Sequence, residues 1–347
     1  MLRLPPFEYL APRTLDEAVE MLAEYGSLAM LVAGGTDVYP GMKRRIFKPK
    51  KLVGLRQIAE LKKFVPRYVE GLDAGNGLTL GAGLTLAQVA TNPLIKEDYP
   101  ALASAAEAVS TAQLRYMGTI GGNLCLDTRC TYYNQSEPWR KALGYCMKLD
   151  GHICWVAPGS RHCWAVQSSD TAPVLVALGA KVKLVGPTGP RVIPVEALYH
   201  NDGMDYLKKR PSEILSEIYL PPPLPRVRQT YKKLRRRGAF DFPILSVAVA
   251  LRIAPSGRGY GTCTEANIVL GAVASAPLRA YEAEAILIGE KINDEVIEEA
   301  AKHAFKVAKP LDNTDMSISY RKQMVRVYVA RALRESLVPR VKPLTMN

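Results

Sequence analysis

Five of the chain's six cysteines, Cys125, Cys130, Cys146, Cys154 and Cys163, fall in one stretch that opens on the glycine turn GTIGGN, Gly118 to Asn123. Four thiolates can close a tetrahedral zinc site or complete an iron–sulfur cube, and both chemistries accept four sulfur ligands. The spacing does not choose which four, because the paired C-x2-4-C of zinc fingers and the tight runs of ferredoxins are both missing. Arg129, Arg140, Lys141, Lys148 and Arg161 interleave with the cysteines, which would favour a cluster of net negative charge. His152 and His162 stand beside them, but four thiolates already fill a four-coordinate site. Disulfides are disfavoured, since such frameworks belong mainly to small secreted domains that cannot build a core.

A second glycine turn, AGGTD from Ala33 to Asp37, follows a short predicted strand at Ala29 to Val32. Adjacent glycines let backbone amides crowd an anion without a side chain in the way, and Thr36 adds a hydroxyl donor. The turn is not GxGxxG, and Pro40-Gly41 comes too soon for a long helix to start there, so a Rossmann dinucleotide site is not supported. Alone, the turn is as readily structural. Two such turns, each carrying polar side chains, suit a diphosphate where no helix dipole is offered. A phosphate-holding turn running into a cysteine-dense loop suggests two redox groups side by side.

The remaining elements form the frame. Thr14-Leu15-Asp16-Glu17 reads as a capping box, followed by Leu15, Ala18, Val19 and Leu22 at helical spacing and closed by Gly26. Short strands are predicted at Lys51 to Leu55 and Gly77 to Gly81, then helices from Thr85 and from Ala101 to Ser110. Past the cysteine loop, Asp170 to Ala180 reads as a short helix, Lys181 to Val185 as a strand, and Val192 to Leu198 and Glu213 to Leu220 as further strands. Pro221-Pro222-Pro223 with Pro225 marks the best domain boundary. Beyond it, strands at Tyr231 to Leu234, Ser246 to Ile253 and Thr264 to Val273 predict a three-stranded antiparallel sheet. Helices at Arg279 to Ile288, Asp294 to Val307 and Tyr320 to Glu335 complete an α+β unit.

At 347 residues and 48% hydrophobic, the chain can build two or three cores. No apolar run reaches the roughly 18–20 residues that cross a bilayer, and Pro5, Pro6, Glu8 and Pro12 fall where a signal peptide would be apolar. The expectation is a cytoplasmic protein with no membrane contact. The net charge of +13 requires an acidic partner or an anionic cofactor where it is not simply solvated. Nucleic acid is not expected, because 7% aromatic content gives no base-stacking signature and no binding motif is present.

These motifs carry a resemblance. AGGTD at 33–37, GTIGGN at 118–123, DTAP from Asp170, the segment from Tyr231 to Asp241-Phe242-Pro243, and GAVASAPLRA at 271–280 resemble the FAD-binding subunits of the xanthine dehydrogenase and carbon monoxide dehydrogenase family of molybdenum enzymes. The likeness runs from PPFEYLAPRTLDEAVEML to the YRKQMVRVYVARAL helix, with the motifs in the family's order. It implies an α+β chain with an FAD-binding fold of the vanillyl-alcohol oxidase (PCMH) type in two subdomains, 1–55 and 56–225, and a C-terminal flavoprotein domain at 226–347. By that likeness Leu31, Val32, Ala33, Gly34, Gly35, Thr36, Asp37 and Val38, with Thr119, Ile120, Gly121, Gly122 and Asn123, would cradle the diphosphate. Val109, Asp170, Leu215 and Lys233 would also contact FAD. A cation at Lys233 could in addition stabilise the anionic reduced flavin; otherwise it is one more lysine in a basic run.

The cysteine loop at 124–166 is an insertion relative to most of that family. The segments NLCxDTRCTxYNQSE and GYCxK resemble the 4-hydroxybenzoyl-CoA reductase branch, whose flavin subunit holds a [4Fe-4S] cluster there. That likeness implies Cys130, Cys146, Cys154 and Cys163 as ligands and Cys125 as a non-ligand. It further implies a dimer of heterotrimers with a molybdopterin-binding large subunit and a small subunit bearing two [2Fe-2S] clusters. Reduced ferredoxin would be the donor, its usual acidity matching the basic chain, with electrons passing through [4Fe-4S] and FAD to molybdenum. Two other readings stay open: a hydroxylase flavin subunit that delivers electrons to NAD or a quinone, and a zinc-stabilised basic binding protein without flavin.

Overall fold

The structure is a computed structural model that describes residues 3–66, 77–223, 227–254 and 261–338. Its first unit is a three-stranded parallel sheet in the order Glu8–Leu10, Lys51–Gly54, Ala29–Val32. The helix Leu15–Tyr25 packs Ala18, Val19 and Leu22 against it, and Gly26 ends the helix. Half of the capping box forms: Thr14 Oγ1 accepts from the Glu17 amide at 3.2 Å. The Glu17 carboxylate accepts from the Arg13 amide at 2.7 Å instead of from Thr14.

The central unit is a five-stranded antiparallel sheet ordered Phe64–Val65, Leu78–Gly81, Ile214–Leu220, Lys181–Gly186, Gly189–Pro194. The strand expected at 192–198 stops at Pro194. There the Val195 amide turns to the Ala180 carbonyl and a 3-10 turn, Glu196–Leu198, takes over. Side chains alternate across Ile214–Leu220: Ile214 joins the N-terminal core, and Leu215 joins the central one. The strand therefore serves both units.

Helices Leu86–Thr91, Pro93–Asp98, Pro100–Ala108 and Thr171–Ala177 pack on this core. The helix expected to reach Ser110 stops at Ala108, since Val109 is extended and Ser110 takes a positive φ of 47°.

The C-terminal sheet has four antiparallel strands, Leu278–Arg279, Cys263–Gly271, Leu245–Ile253 and Val227–Leu234. The three expected strands are thus joined by a two-residue edge. Tyr231, Ala248, Ala250 and Val269 face the central core. Leu245, Val247, Val249 and Leu251 face helices Tyr281–Leu287, Asp294–Val307 and Ile318–Leu337 on the other side. Burial on both faces explains the near-continuous apolar run at 244–251. The chain enters this unit past Pro221–Pro223; Pro225 lies outside the described residues. Among the described residues no helix is long and apolar enough to cross a membrane.

Candidate functional site

The two glycine turns meet. A Cβ on Gly34 would stand 1.9 Å from the Met117 carbonyl oxygen and 3.0 Å from Gly118 Cα, so the first turn lies directly on the backbone of the second. Only glycine permits that approach. Each turn then runs into a short helix, Val38–Lys43 and Ile120–Leu124, where the sequence suggested turns without helices. Pro40 is tolerated because the first amides of a helix have no intrahelical partner to lose. Thr119 starts the other helix, its Oγ1 accepting from the Gly122 amide at 3.1 Å.

The two turns use their amides differently. In the second, Ile120 donates to Leu84 O and Gly121 to Ala82 O, both at 2.9 Å, and Asn123 donates to Thr119 O. Gly121 has no room for a side chain, since a Cβ would stand 2.6 Å from that of Ala82. In the first turn, among the described residues, no hydrogen bond engages the amides of Gly34, Gly35, Thr36, Asp37 or Val38. Consecutive free amides form a concavity that suits an anion. Among the described residues the amides open to an anion are therefore those at 34–38, not those of 120, 121 and 123. The stretch 119–123 forms the floor beneath them.

Asn123 ties that floor to the segment before Thr171–Ala177. Its Oδ1 accepts from Ser169 Oγ and Thr171 Oγ1, each at 2.7 Å, and from the Thr171 amide at 3.2 Å. Between those partners lies Asp170, buried, accepting from Tyr231 Oη at 2.5 Å and from Lys233 Nζ at 3.0 Å. Lys233 also donates to the Ala108 carbonyl at 2.9 Å, and Arg235 donates to the same oxygen at 3.1 Å. Burial pushes the Asp170 carboxyl up, opposed by the Lys233 charge and the Tyr231 hydrogen bond; burial likewise pushes Lys233 down. Val109 follows Ala108 directly, and its carbonyl accepts from Arg115 at 3.0 Å. Lys233, Val109 and Asp170 thus share one corner, beside which the Phe240 amide donates to the Ser110 carbonyl at 3.0 Å. Leu215 is buried in the central core, against which Val109 also packs, and Leu31 and Val32 belong to the strand that delivers the first turn.

The four cysteines implied by the resemblance converge. Cys130, Cys146, Cys154 and Cys163 are buried, unpaired, and line one pocket with Tyr132, Tyr133, Met147, Trp155 and Val156. Burial pushes the Cys130 thiol up to about 11 and the Cys163 thiol up to about 12. Among the described residues no three Cys, His, Asp or Glu side chains are close enough to share one metal ion.

Of the basic neighbours, only Lys148 reaches the pocket wall, donating to Asp127 Oδ1 at 2.7 Å and to Thr128 Oγ1 and Gly203 O at 2.6 Å. Arg140 turns away to the Arg44 carbonyl, and His152 and His162 are exposed. Cys125 stands outside the pocket against the central core.

Sequence reasoning gave Arg129 only a general role as a nearby cation. Its guanidinium pairs with Asp37 of the first turn and stacks over the Phe242 ring at 4.5 Å, while its chain neighbour is Cys130. One side chain therefore links the amide cradle to the cysteine lobe.

Fold and site together define a flavoprotein subunit of a multicomponent redox enzyme. Residues 5–223 match the FAD binding domain in molybdopterin dehydrogenase, and residues 229–336 match the CO dehydrogenase flavoprotein C-terminal domain. The chain belongs to this family of FAD-binding subunits of molybdenum hydroxylases. It is 28% identical over 330 residues to the carbon monoxide dehydrogenase medium chain of Hydrogenophaga pseudoflava, covering 95% of this chain and 96% of that one. It is 33% identical over 270 residues to the aldehyde oxidoreductase FAD-binding subunit of Escherichia coli, covering 75% and 79% respectively. A solved carbon monoxide dehydrogenase structure from H. pseudoflava superposes with a TM-score of 0.77 at 28% identity, over 96% of this chain and 98% of that chain.

Proposed function

We propose that this chain is the FAD and [4Fe-4S] subunit of a molybdenum-containing 4-hydroxybenzoyl-CoA reductase or a close relative. It would carry electrons from reduced ferredoxin toward a small [2Fe-2S] subunit and a molybdopterin-binding large subunit, for reductive removal of a phenolic hydroxyl. The convergence of Cys130, Cys146, Cys154 and Cys163 on one pocket carries this reading. The amides of residues 34–38 would hold the FAD diphosphate. Lys233, fixed by Asp170 and the Ala108 carbonyl, would place a positive charge at the flavin. When bound, FAD exchanges electrons singly or in pairs and the cluster exchanges one. The chain's own residues hold, space and shield those groups. A surface of net charge +13 suits an acidic one-electron donor. The domain limits 1–55, 56–225 and 226–347 and the dimer of heterotrimers belong to the same proposal.

The test is iron, acid-labile sulfide and FAD per chain on protein purified without oxygen. About four irons and four sulfides beside one FAD is the expected result for a four-thiolate cube. FAD with zinc or no metal would overturn the cluster and favour the hydroxylase reading, with NAD or a quinone as acceptor, which the carbon monoxide dehydrogenase and aldehyde oxidoreductase relatives support. NADH oxidation then provides the second assay. Absence of flavin would overturn both readings.

A further inference from the structure

The cysteine lobe is closed at its base by a residue of the C-terminal domain. Asn313 lies in the loop between Asp294–Val307 and Ile318–Leu337 and is buried at 1% exposure. Its carbonyl accepts from the Thr131 amide at 2.8 Å and from Thr131 Oγ1 at 3.3 Å; its Nδ2 donates to the Trp164 carbonyl. Thr131 follows Cys130, and Trp164 follows Cys163. One asparagine thus grips the residues next to the first and last cysteines of the pocket.

Asn313 is itself held. Arg321, fully buried in Ile318–Leu337, donates to Asn313 Oδ1 at 3.2 Å, to Leu311 O at 2.7 Å, to Ala272 O at 2.6 Å and to Ile244 O at 3.4 Å. A guanidinium hydrogen-bonded to carbonyls and an amide alone is costly to bury, and Arg321 is pushed down to about 10 by that burial. Ala272, whose carbonyl it takes, has a positive φ of 61°, a strained conformation for a residue with a side chain. The same GAVASAP segment also meets the end of the lobe: Ala272 N donates to Gln167 O at 3.2 Å, Gln167 N donates to Ala274 O at 3.0 Å, and Ser275 Oγ donates to Cys163 O at 3.3 Å.

We infer that Asn313, set by Arg321, is a positioning residue that fixes the separation of Cys130 and Cys163, so that the C-terminal domain controls the geometry of the four-cysteine pocket. The inference rests on the four-cysteine reading only for its metal consequence. The clamp itself is testable without metal.

The experiment uses the full chain with FAD bound, in wild type, Asn313→Ala and Asn313→Asp. Asn313→Asp keeps the acceptor for Arg321 and removes only the donor to Trp164. Iron is stripped by chelation, and maleimide labelling of each cysteine is followed by peptide mass spectrometry. The expected result is labelling of Cys163 about tenfold faster in both variants, the scale of one lost buried hydrogen bond, with Cys130 little changed, because Thr131 bonds the Asn313 backbone carbonyl that neither substitution removes. Labelling of Cys263, distant in sequence and buried in the C-terminal core, should be unchanged, as should FAD content. With iron restored, the iron-to-FAD ratio should fall and the cluster's electron paramagnetic resonance spectrum should change. Faster labelling in a protein that never takes up iron would support the clamp while overturning the cluster. Unchanged labelling of Cys163, or equal acceleration at Cys263, would overturn the clamp. Should Asn313→Ala fail to fold, Asn313→Asp alone decides the matter.

Discussion

The corner proposed for FAD and the cysteine lobe are built on opposite plans. At the corner proposed for FAD, side chains that could touch a cofactor are already satisfied: Asn123 takes three hydrogen bonds, and Asp170 takes two from the strand Val227–Leu234. The unsatisfied groups there are backbone amides on one turn. In the lobe the potential ligands are free cysteines, with backbone amides of Tyr132, Tyr133 and Ala165 touching Cys130 and Cys163, and a small apolar cluster of Ile46, Tyr133 and Ala165 packs with Cys130, Cys146 and Cys163. A site made of fixed amides can be preorganised before its ligand arrives. A site made of four buried cysteines gains its strongest bonds only when metal is bound. The first should therefore keep its shape without FAD, and the second should loosen without its metal.

Replacing each of Cys130, Cys146, Cys154 and Cys163 by Ser breaks the comparison most severely. Each change should abolish iron binding and leave FAD content near wild type, whereas Cys125→Ser should retain both groups. Iron and flavin assays on the same preparations check this. Loss of FAD together with iron would show that the two sites are one cooperative unit.

Gly34→Val attacks the other side. A side chain there must push apart the two turns, since the Met117 carbonyl already occupies its position. The expected cost is about 3 kcal/mol or more, above the usual range for overpacking because backbone is displaced. The readout is a lowered thermal midpoint with FAD lost and iron retained.

Lys233→Met should come next. It leaves Asp170 buried beside Tyr231 without its cation, and breaking one side of a buried pair costs about 3–5 kcal/mol where the remaining charge persists. Part of that cost is relieved if Asp170 takes up a proton, which burial already favours. The variant should thus be least destabilised at low pH and lose stability as pH rises through the raised Asp170 pKa. Asp170→Asn with Lys233→Met should recover much of the loss. Thermal melts across pH, with and without FAD, measure both.

Legibility in the sequence followed the same division. Elements governed by local chemistry were readable: the Thr14 cap, the strands at 246–253 and 264–273, the second of which ends at Gly271, and the helix Asp294–Val307, whose limits match the structure. The close approach that makes Gly34 obligatory could not be read, because it depends on Met117, far along the chain. Nor could periodicity assign the amides of 120–123 to Leu84 and Ala82. The cysteine quartet needed the family resemblance, since gaps of 15, 7 and 8 residues match no compact ligand pattern. Asn313 and Arg321 left no local signal at all. Asparagine in a loop and arginine in a helix are ordinary, and their burial is settled only by tertiary packing.

Arg129→Lys sharpens the comparison with the smallest change. The guanidinium spans the two plans, pairing with Asp37 beside the free amides while its backbone N–H and C=O both bond Val166 across the lobe's neck. Lysine keeps the charge and the backbone bonds but loses the planar fork and the stacking on Phe242. Stability should change by about 1 kcal/mol, the scale of one charge-assisted hydrogen bond or cation–π contact in a partly buried setting. If the turn is preorganised by its own backbone, FAD affinity should fall only about threefold to tenfold, equivalent to about 1 kcal/mol, with iron content unchanged. Flavin fluorescence titration and iron analysis read the two sides separately. A loss of iron equal to the loss of FAD would mean that Arg129 transmits strain between them. The cradle and the lobe would then be one device joined at a single residue.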